Sequence, residues 1–292
     1  MRIRNKIFPI IACLLGLGMA LGSCTKFTKV QLASEGTIYM VQAEGTKGQL
    51  ELRALDTAQL VVFGAAYGGL NYPSSDIPVT FKVDTSLVAT YNTTYGTNYQ
   101  VLPSSSYSIA SLSSVIKAGT TSSQPLYVGI LANKLDPSKQ YMLPITLVNA
   151  TTNKLDSSLT TAYFTVDHID NLYAGSYHTV GVRTNYNADG SNAGTNSIDD
   201  TRVLTTMTLD SCSINTIANL GSYNGTVFFV RVNPDNTLEF SGYLQNVIGS
   251  PIGNQPNTTS TYNPTTGVMT VHYMYTNTNG TYRYMDETWT PE

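Results

Sequence analysis

Apolar and polar residues alternate with a period of two through much of this chain. Residues 78–84 are the clearest case. Val79, Phe81 and Val83 fall on one face and Thr80, Lys82 and Asp84 on the other, the pattern of a half-buried strand. Further strand-like runs fall at 37–41, 50–55, 60–63, 115–117, 125–131, 141–149 and 161–166. Turn formers separate them at Gly64, Gly68 and Gly69, at Ala118-Gly119, Asp136-Pro137 and Asn153-Lys154. One stretch departs from the pattern. Leu87, Val88 and Tyr91 stand at i, i+1 and i+4, which predicts a short helix ended by Gly96. After residue 170 strand-like runs resume at 175–182, 202–209, 213–217, 226–232, 237–244, 268–275 and 281–288. Asn233-Pro234-Asp235-Asn236 and Asn277-Thr278-Asn279-Gly280 read as hairpin connections. Residues 245–262 carry five-fold Gly/Pro punctuation around them and little strand character, so they read as a long loop at a ligand mouth or a loose connection.

Short strands at short intervals predict an all-β protein: an immunoglobulin-like β-sandwich first, then an antiparallel β-barrel. Polar Asp170 and Asn171 suggest a seam, and composition shifts beyond it, with the last lysine at Lys154. The expected units are a leader over 1–23, a tether over 24–34, a sandwich over 35–168 and a barrel-like domain over 172–292.

The N-terminus changes the picture most. Arg2, Arg4 and Lys6 precede an apolar stretch over 7–21, and Leu21-Gly22-Ser23-Cys24 follows. This is the layout of a secretory signal, too short for a membrane span, which needs about 20 apolar residues. A cysteine directly after small residues predicts lipidation of Cys24 and a chain anchored to an envelope membrane by acyl groups. Cys13 leaves with the leader, so Cys212 has no disulfide partner and reads as a small buried hydrophobe. Charged residues are 12% of the chain, and loss of Arg2, Arg4 and Lys6 takes the formal charge from −3 to −6. That balance argues against nucleic acid, which needs a basic footprint, and favours neutral ligands.

Several motifs together resemble a known module: residues 77–84, Ser86-Leu87-Val88, Tyr91-Asn92, 99–103, Tyr107-Ser108-Ile109, 115–119, Leu135 and 141–145. They are similar to the immunoglobulin-like domain of unknown function at the N-terminus of many Bacteroidota lipoproteins, over about 35–168. Tyr173 to Tyr177 and Tyr284 to Thr288 look like the lipocalin-like β-domain that accompanies it. The resemblance implies an outer-membrane lipoprotein of a polysaccharide-utilisation system. It also implies glycan-importer proteins of the outer membrane as partners. Exported relatives usually carry acidic residues after the lipidated cysteine. Here Thr25-Lys26-Phe27-Thr28-Lys29 is basic, which leaves the membrane face open.

Candidate chemistry is sparse. Glycoside hydrolysis needs two facing carboxyl groups. The adjacent pairs Asp199-Asp200 and Asp286-Glu287 would point to opposite faces of their strands, and Asp286 and Glu287 read as surface charges. His168, His178 and His272 show no metal-ligand spacing. Asn185, Asn187 and Asp189 before Gly190 match the opening of a calcium loop, but Asn196 stands where a bidentate Glu would close it. A polar hairpin turn explains the same residues. Aromatic rings remain. Sugars stack their C–H faces on Tyr and Trp. Tyr273, Tyr275, Tyr282, Tyr284 and Trp289, with Arg283, Asn246 and Asn254 nearby, form the expected stacking platform; core filling is the alternative. The expectation is a non-catalytic glycan-binding lipoprotein without a cofactor. A structural or adhesion role is the runner-up, and an unrecognised hydrolase the third reading.

Overall fold

The computed structural model describes residues 36–45, 48–151, 154–218, 220, 226–246 and 249–292, with Asn246 described in its backbone only. The leader, Cys24 and the tether lie outside them. The described residues are all-β apart from one α-helix and a few 3-10 turns. In order, the first eleven strands are β1 (Thr37–Tyr39), β2 (Gln49–Arg53), β3 (Gln59–Phe63), β4 (Ala66–Gly68), β5 (Ile77–Val83), β6 (Gln100–Val101), β7 (Tyr107–Ile109), β8 (Ser113–Ile116), β9 (Leu126–Ile130), β10 (Tyr141–Asn149) and β11 (Thr161–Asp170). Helix α1 (Leu87–Tyr95) lies between β5 and β6. Then follow β12 (Gly175–Tyr186), β13 (Asn192–Thr206), β14 (Ser211–Ile214), β15 (Val227–Val232), β16 (Leu238–Tyr243), β17 (Pro251–Asn254), β18 (Thr261–Tyr262), β19 (Met269–Thr276) and β20 (Tyr282–Pro291).

Nine of the first eleven strands form a sandwich, and β1 and β4 pair with each other as a separate two-stranded sheet. One sheet runs β2-β11-β10-β5-β8 with β6 on β10, and a second runs β3-β9-β7. Val79, Phe81, Leu143, Ile145, Phe164 and Val166 of the first sheet meet Phe63, Val128 and Ile130 of the second in one core. Phe63 and Phe81 cross edge to face, 5.3 Å between centroids at 89°, a favourable aromatic geometry. The alternation read at 78–84 is the burial pattern of β5. The helix forms where expected and ends on Gly96, whose φ of 66° is the left-handed cap that glycine accepts without strain.

Strands β12 to β17, β19 and β20 form a closed antiparallel eight-stranded barrel, with β18 appended to β19. Closure comes from β17, which pairs with β16 on one side and β19 on the other. The connection expected over 245–262 is therefore only partly loop. Its four-residue strand Pro251–Asn254 buries one side chain, Ile252, so hydropathy alone carries too little signal; its hydrogen bonds come from strands on both sides. Barrels of eight strands enclose an interior that side chains can fill, or nearly fill.

The seam is hydrogen-bonded. Asn171 is fully buried; its amide donates to the carbonyls of Thr208 and Ser211, and its side-chain oxygen accepts from the backbone N–H groups of Tyr173 and Ala174. Arg53 Nη2 of β2 donates to the carbonyl of Ala174 at 3.0 Å.

Candidate functional site

On β11, Ala162, Phe164 and Val166 face the core, so Thr161, Tyr163 and Thr165 face outward. Above them lies a cleft of about 500 Å³ bordered by α1, β11 and Gln42, Ala43, Gly45, Gly48 and Gln49. Four tyrosines shape it: Tyr91, Tyr95, Tyr99 and Tyr163. Helical spacing explains two of them, because Tyr91 and Tyr95 stand at i and i+4 on one face of α1. Their ring centroids are 4.5 Å apart, and Tyr91 lies 4.7 Å from Tyr163 and 6.1 Å from Tyr99. Tyr95 is well exposed at the rim.

Tyr99 is held in place by two locks. Asn92 of α1 donates from Nδ2 to the Tyr99 carbonyl at 2.8 Å and accepts from the Tyr99 N–H at 2.9 Å. The Tyr99 hydroxyl donates to Asp167 Oδ1 at 2.6 Å, and Thr165 Oγ1 donates to Oδ2 at 2.8 Å. Burial, then the neighbouring carboxylate, pushes the Tyr99 phenol up to about 12, so it stays a donor. Burial likewise raises Tyr91 and Tyr163. Ser157, Ser158, Thr160 and Thr161 bring hydroxyls to the cleft, and Gln42 Oε1 is shielded there without a hydrogen-bond partner. None of the described lining residues is Asp or Glu. The cleft can stack and hydrogen-bond a polyhydroxylated ligand; the carboxyl pair that hydrolysis requires is not part of that lining.

The expected platform on the barrel is corrected. Strands β19 and β20 do pair across the 277–280 turn, but Tyr273 lies opposite Met285, Tyr275 opposite Arg283, and Met274 opposite Tyr284. That register puts Tyr273 and Tyr275 inside the barrel and Tyr282 and Tyr284 outside. Tyr273, Tyr275 and Trp289 are buried among Phe228, Phe240 and their neighbours, so they are core rather than stacking surface. Tyr282 and Tyr284 share the outer wall with Tyr186 of β12. Tyr186 and Tyr282 stack on each other, 4.8 Å apart at 10°, so these rings use part of their faces on one another. Arg283 turns inward at the barrel end and donates from Nη1 to the carbonyls of Tyr186 and Tyr282. Asn254 is spent on the backbone of Phe240 and Leu238; the Asn246 side chain is outside the described residues.

Glu287, expected at the surface, is buried. Odd positions of β20 face inward, and Glu287 meets Arg202 there, with Nη2–Oε2 2.8 Å and both side chains fully enclosed. Trp289 Nε1 and the Tyr273 hydroxyl also donate to its carboxylate. Burial first, then Glu287, pushes the Tyr273 phenol well above its usual value. Asp286 points outward and pairs with His272 at 2.7 Å.

The residues of the calcium reading are placed in a hairpin. Asn187 and Asp189 belong to the turn between β12 and β13, where both are engaged with Ser191. Asn185 lies in β12 and donates to Asn196 Oδ1 and the Gly194 carbonyl. Asp189 Oδ1 accepts from the Ser191 N–H and hydroxyl, and Asn185 and Asn187 hold the hairpin through their amide N–H groups. Among the described residues no group of three or more His, Cys, Asp or Glu side chains is placed to hold a metal. Cys212 is fully buried, and burial pushes its thiol up to about 11.

Two family models match the chain. One describes an N-terminal domain and covers residues 32–154; the other describes the C-terminal domain and covers 166–290. A protein of unknown function from Bacteroides ovatus superposes with a TM-score of 0.60 at 15% identity, over 88% of this chain and 94% of that one. That likeness is one of fold, spanning both the sandwich and the barrel. An auxiliary nutrient binding protein from Bacteroides thetaiotaomicron aligns at 14% identity over 85% of this chain and 92% of that one, with a TM-score of 0.38. No curated protein matches the chain.

The cleft tyrosines are absent from the expected platform, although the chain carries a signal for them. Tyr91 and Tyr95 are four apart on the one helix, and Tyr163 occupies an outward position of a strand whose inward positions are apolar.

Proposed function

We propose that the protein is a non-catalytic glycan-binding lipoprotein, anchored through Cys24 to a Bacteroidota outer membrane and serving polysaccharide uptake. The ligand surface is the sandwich cleft rather than the barrel wall. The observation that carries this reading is the cleft itself: four tyrosines at mixed angles around about 500 Å³, with hydroxyl and amide groups between them. Sugar rings offer the matching chemistry, flat C–H faces for the rings and hydroxyls for the polar groups. A surface tether raises the local concentration of such a weak site near an importer, so modest affinity suffices.

The test is affinity electrophoresis of the chain from Thr25 onward against a panel of polysaccharides. Retardation on at least one glycan is expected, and the double substitution Tyr91→Ala with Tyr163→Ala should weaken it at least about ten-fold, the loss of two stacking contacts. No retardation on any glycan, or equal retardation of the double variant, would overturn the proposal in favour of a structural role.

A further inference from the structure

The barrel closes around a packed core, yet it opens again at the end marked by the turns at 187–191 and 277–281. A cavity of about 360 Å³ lies there. Its charge is unbalanced. Arg183 of β12 and Arg283 of β20 both line it, together with Asn185, Asn196, Asn277 and Gln245, and none of the described lining residues is Asp or Glu. The register explains the meeting. Asn185 lies opposite Arg283 and Arg183 opposite Met285, so the two arginines are diagonal neighbours on the inward face.

The other two barrel arginines are treated differently. Arg202 pairs with Glu287 and Arg231 with Asp210. Among the described residues no ion pair includes Arg183 or Arg283, so two like charges face one small cavity without a counter-charge. Donors outnumber acceptors as well. Arg183 Nη2 donates to Asn196 Oδ1 at 3.0 Å, and the same oxygen accepts from Asn185 Nδ2 at 2.9 Å, which uses it up. Arg183 Nε is shielded and has no partner. Gln245 borders the cavity from the turn after β16, where its φ is 54°.

We infer that this barrel mouth binds the carboxylate of a single acidic sugar, a hexuronic acid. Paired guanidiniums suit a carboxylate. The side-chain amides suit ring hydroxyls, and the lining is mainly polar, with Tyr275, Leu220 and Leu244 only at its border. The volume holds one ring rather than a chain. The inference does not depend on the glycan reading of the sandwich cleft, which lies on another sheet.

Titration calorimetry on the purified full-length protein tests it with glucuronate, galacturonate, glucose, acetate, sulfate and inorganic phosphate as separate ligands. Saturable binding of a uronate is expected, at least about ten-fold tighter than glucose and weakening as salt rises. Arg183→Gln should lower uronate affinity at least about ten-fold, and Arg183→Lys should restore part of it. Arg283→Gln should do the same, but Arg283 also holds strand carbonyls, so Arg183→Gln decides if that variant unfolds. The unfolding midpoint of Arg183→Gln and its retardation on uncharged glycans should match the unaltered chain, which separates this site from the cleft. Absence of uronate binding, equal binding of glucose, binding of sulfate or phosphate alone, or an unaffected Arg183→Gln would overturn the inference.

Discussion

Two tyrosine clusters, one in the barrel and one in the sandwich, are used in opposite ways. In the barrel, Tyr273 is enclosed, its hydroxyl donating to Glu287 and its ring against Phe228 and Phe240. In the sandwich, Tyr91 and Tyr163 lean together at the surface, with Tyr95 open to solvent. The residue type is the same; what differs is the side of the sheet. A closed barrel assigns every second residue to its interior, so an inward tyrosine becomes core. The sandwich sheet has its core on one side only, and a helix laid across the other side leaves a gap that tyrosines border without filling. A tyrosine-rich segment is therefore no guide to a binding surface until the face is known.

The largest test of this contrast is in the barrel. Glu287→Ala should leave the Arg202 guanidinium buried without its partner and destabilise the protein by about 3–5 kcal/mol in denaturant unfolding. Glycan retardation by whatever protein remains folded should persist. A change under about 1 kcal/mol would mean that the ion pair is not enclosed as described.

A middle-sized effect is expected at the cleft. Asn92→Ala removes the two bonds to the Tyr99 backbone. We expect a loss of about 1–2 kcal/mol in stability and weaker glycan retardation, since Asn92 positions a ring that borders the cleft. Unchanged retardation at reduced stability would show that Tyr99 does not need its lock to serve the site.

The smallest effect is in the pH dependence. The Tyr99 phenol is raised from 10.0 to about 12 in the folded protein. A raised folded value contributes stability that is complete below pH 10 and is lost as pH rises through about 12. Tyr177, raised to about 12 by burial, contributes in the same sense from the barrel. Tyr99→Phe should therefore flatten part of the decline in denaturant midpoint between pH 10 and 12. A decline as steep as that of the unaltered chain would assign all of it to Tyr177 and other groups.

Much of the architecture was legible in one dimension. The alternation at 78–84, the helix closed by Gly96 and the buried thiol of Cys212 each follow from local pattern, and each is found. The candidate site was legible only in part. Tyr282 and Tyr284 do share a face, as spacing required, and so do Tyr273 and Tyr275. Which face is outermost depends on the β19–β20 register, and a strand shifted by one residue exchanges the two sides. Strand β17 escaped notice because four residues with one buried side chain carry almost no pattern.

What the chain determined by itself is periodicity: where strands run, where one helix turns, and which residues must travel together on a side. What tertiary structure alone decided is the meaning of each side. Hydrogen bonds between distant strands closed the barrel, enclosed Glu287 with Arg202, and gathered Tyr91, Tyr99 and Tyr163 from separate elements. Those choices rest on pairings between residues far apart in sequence, and no local window contains both partners.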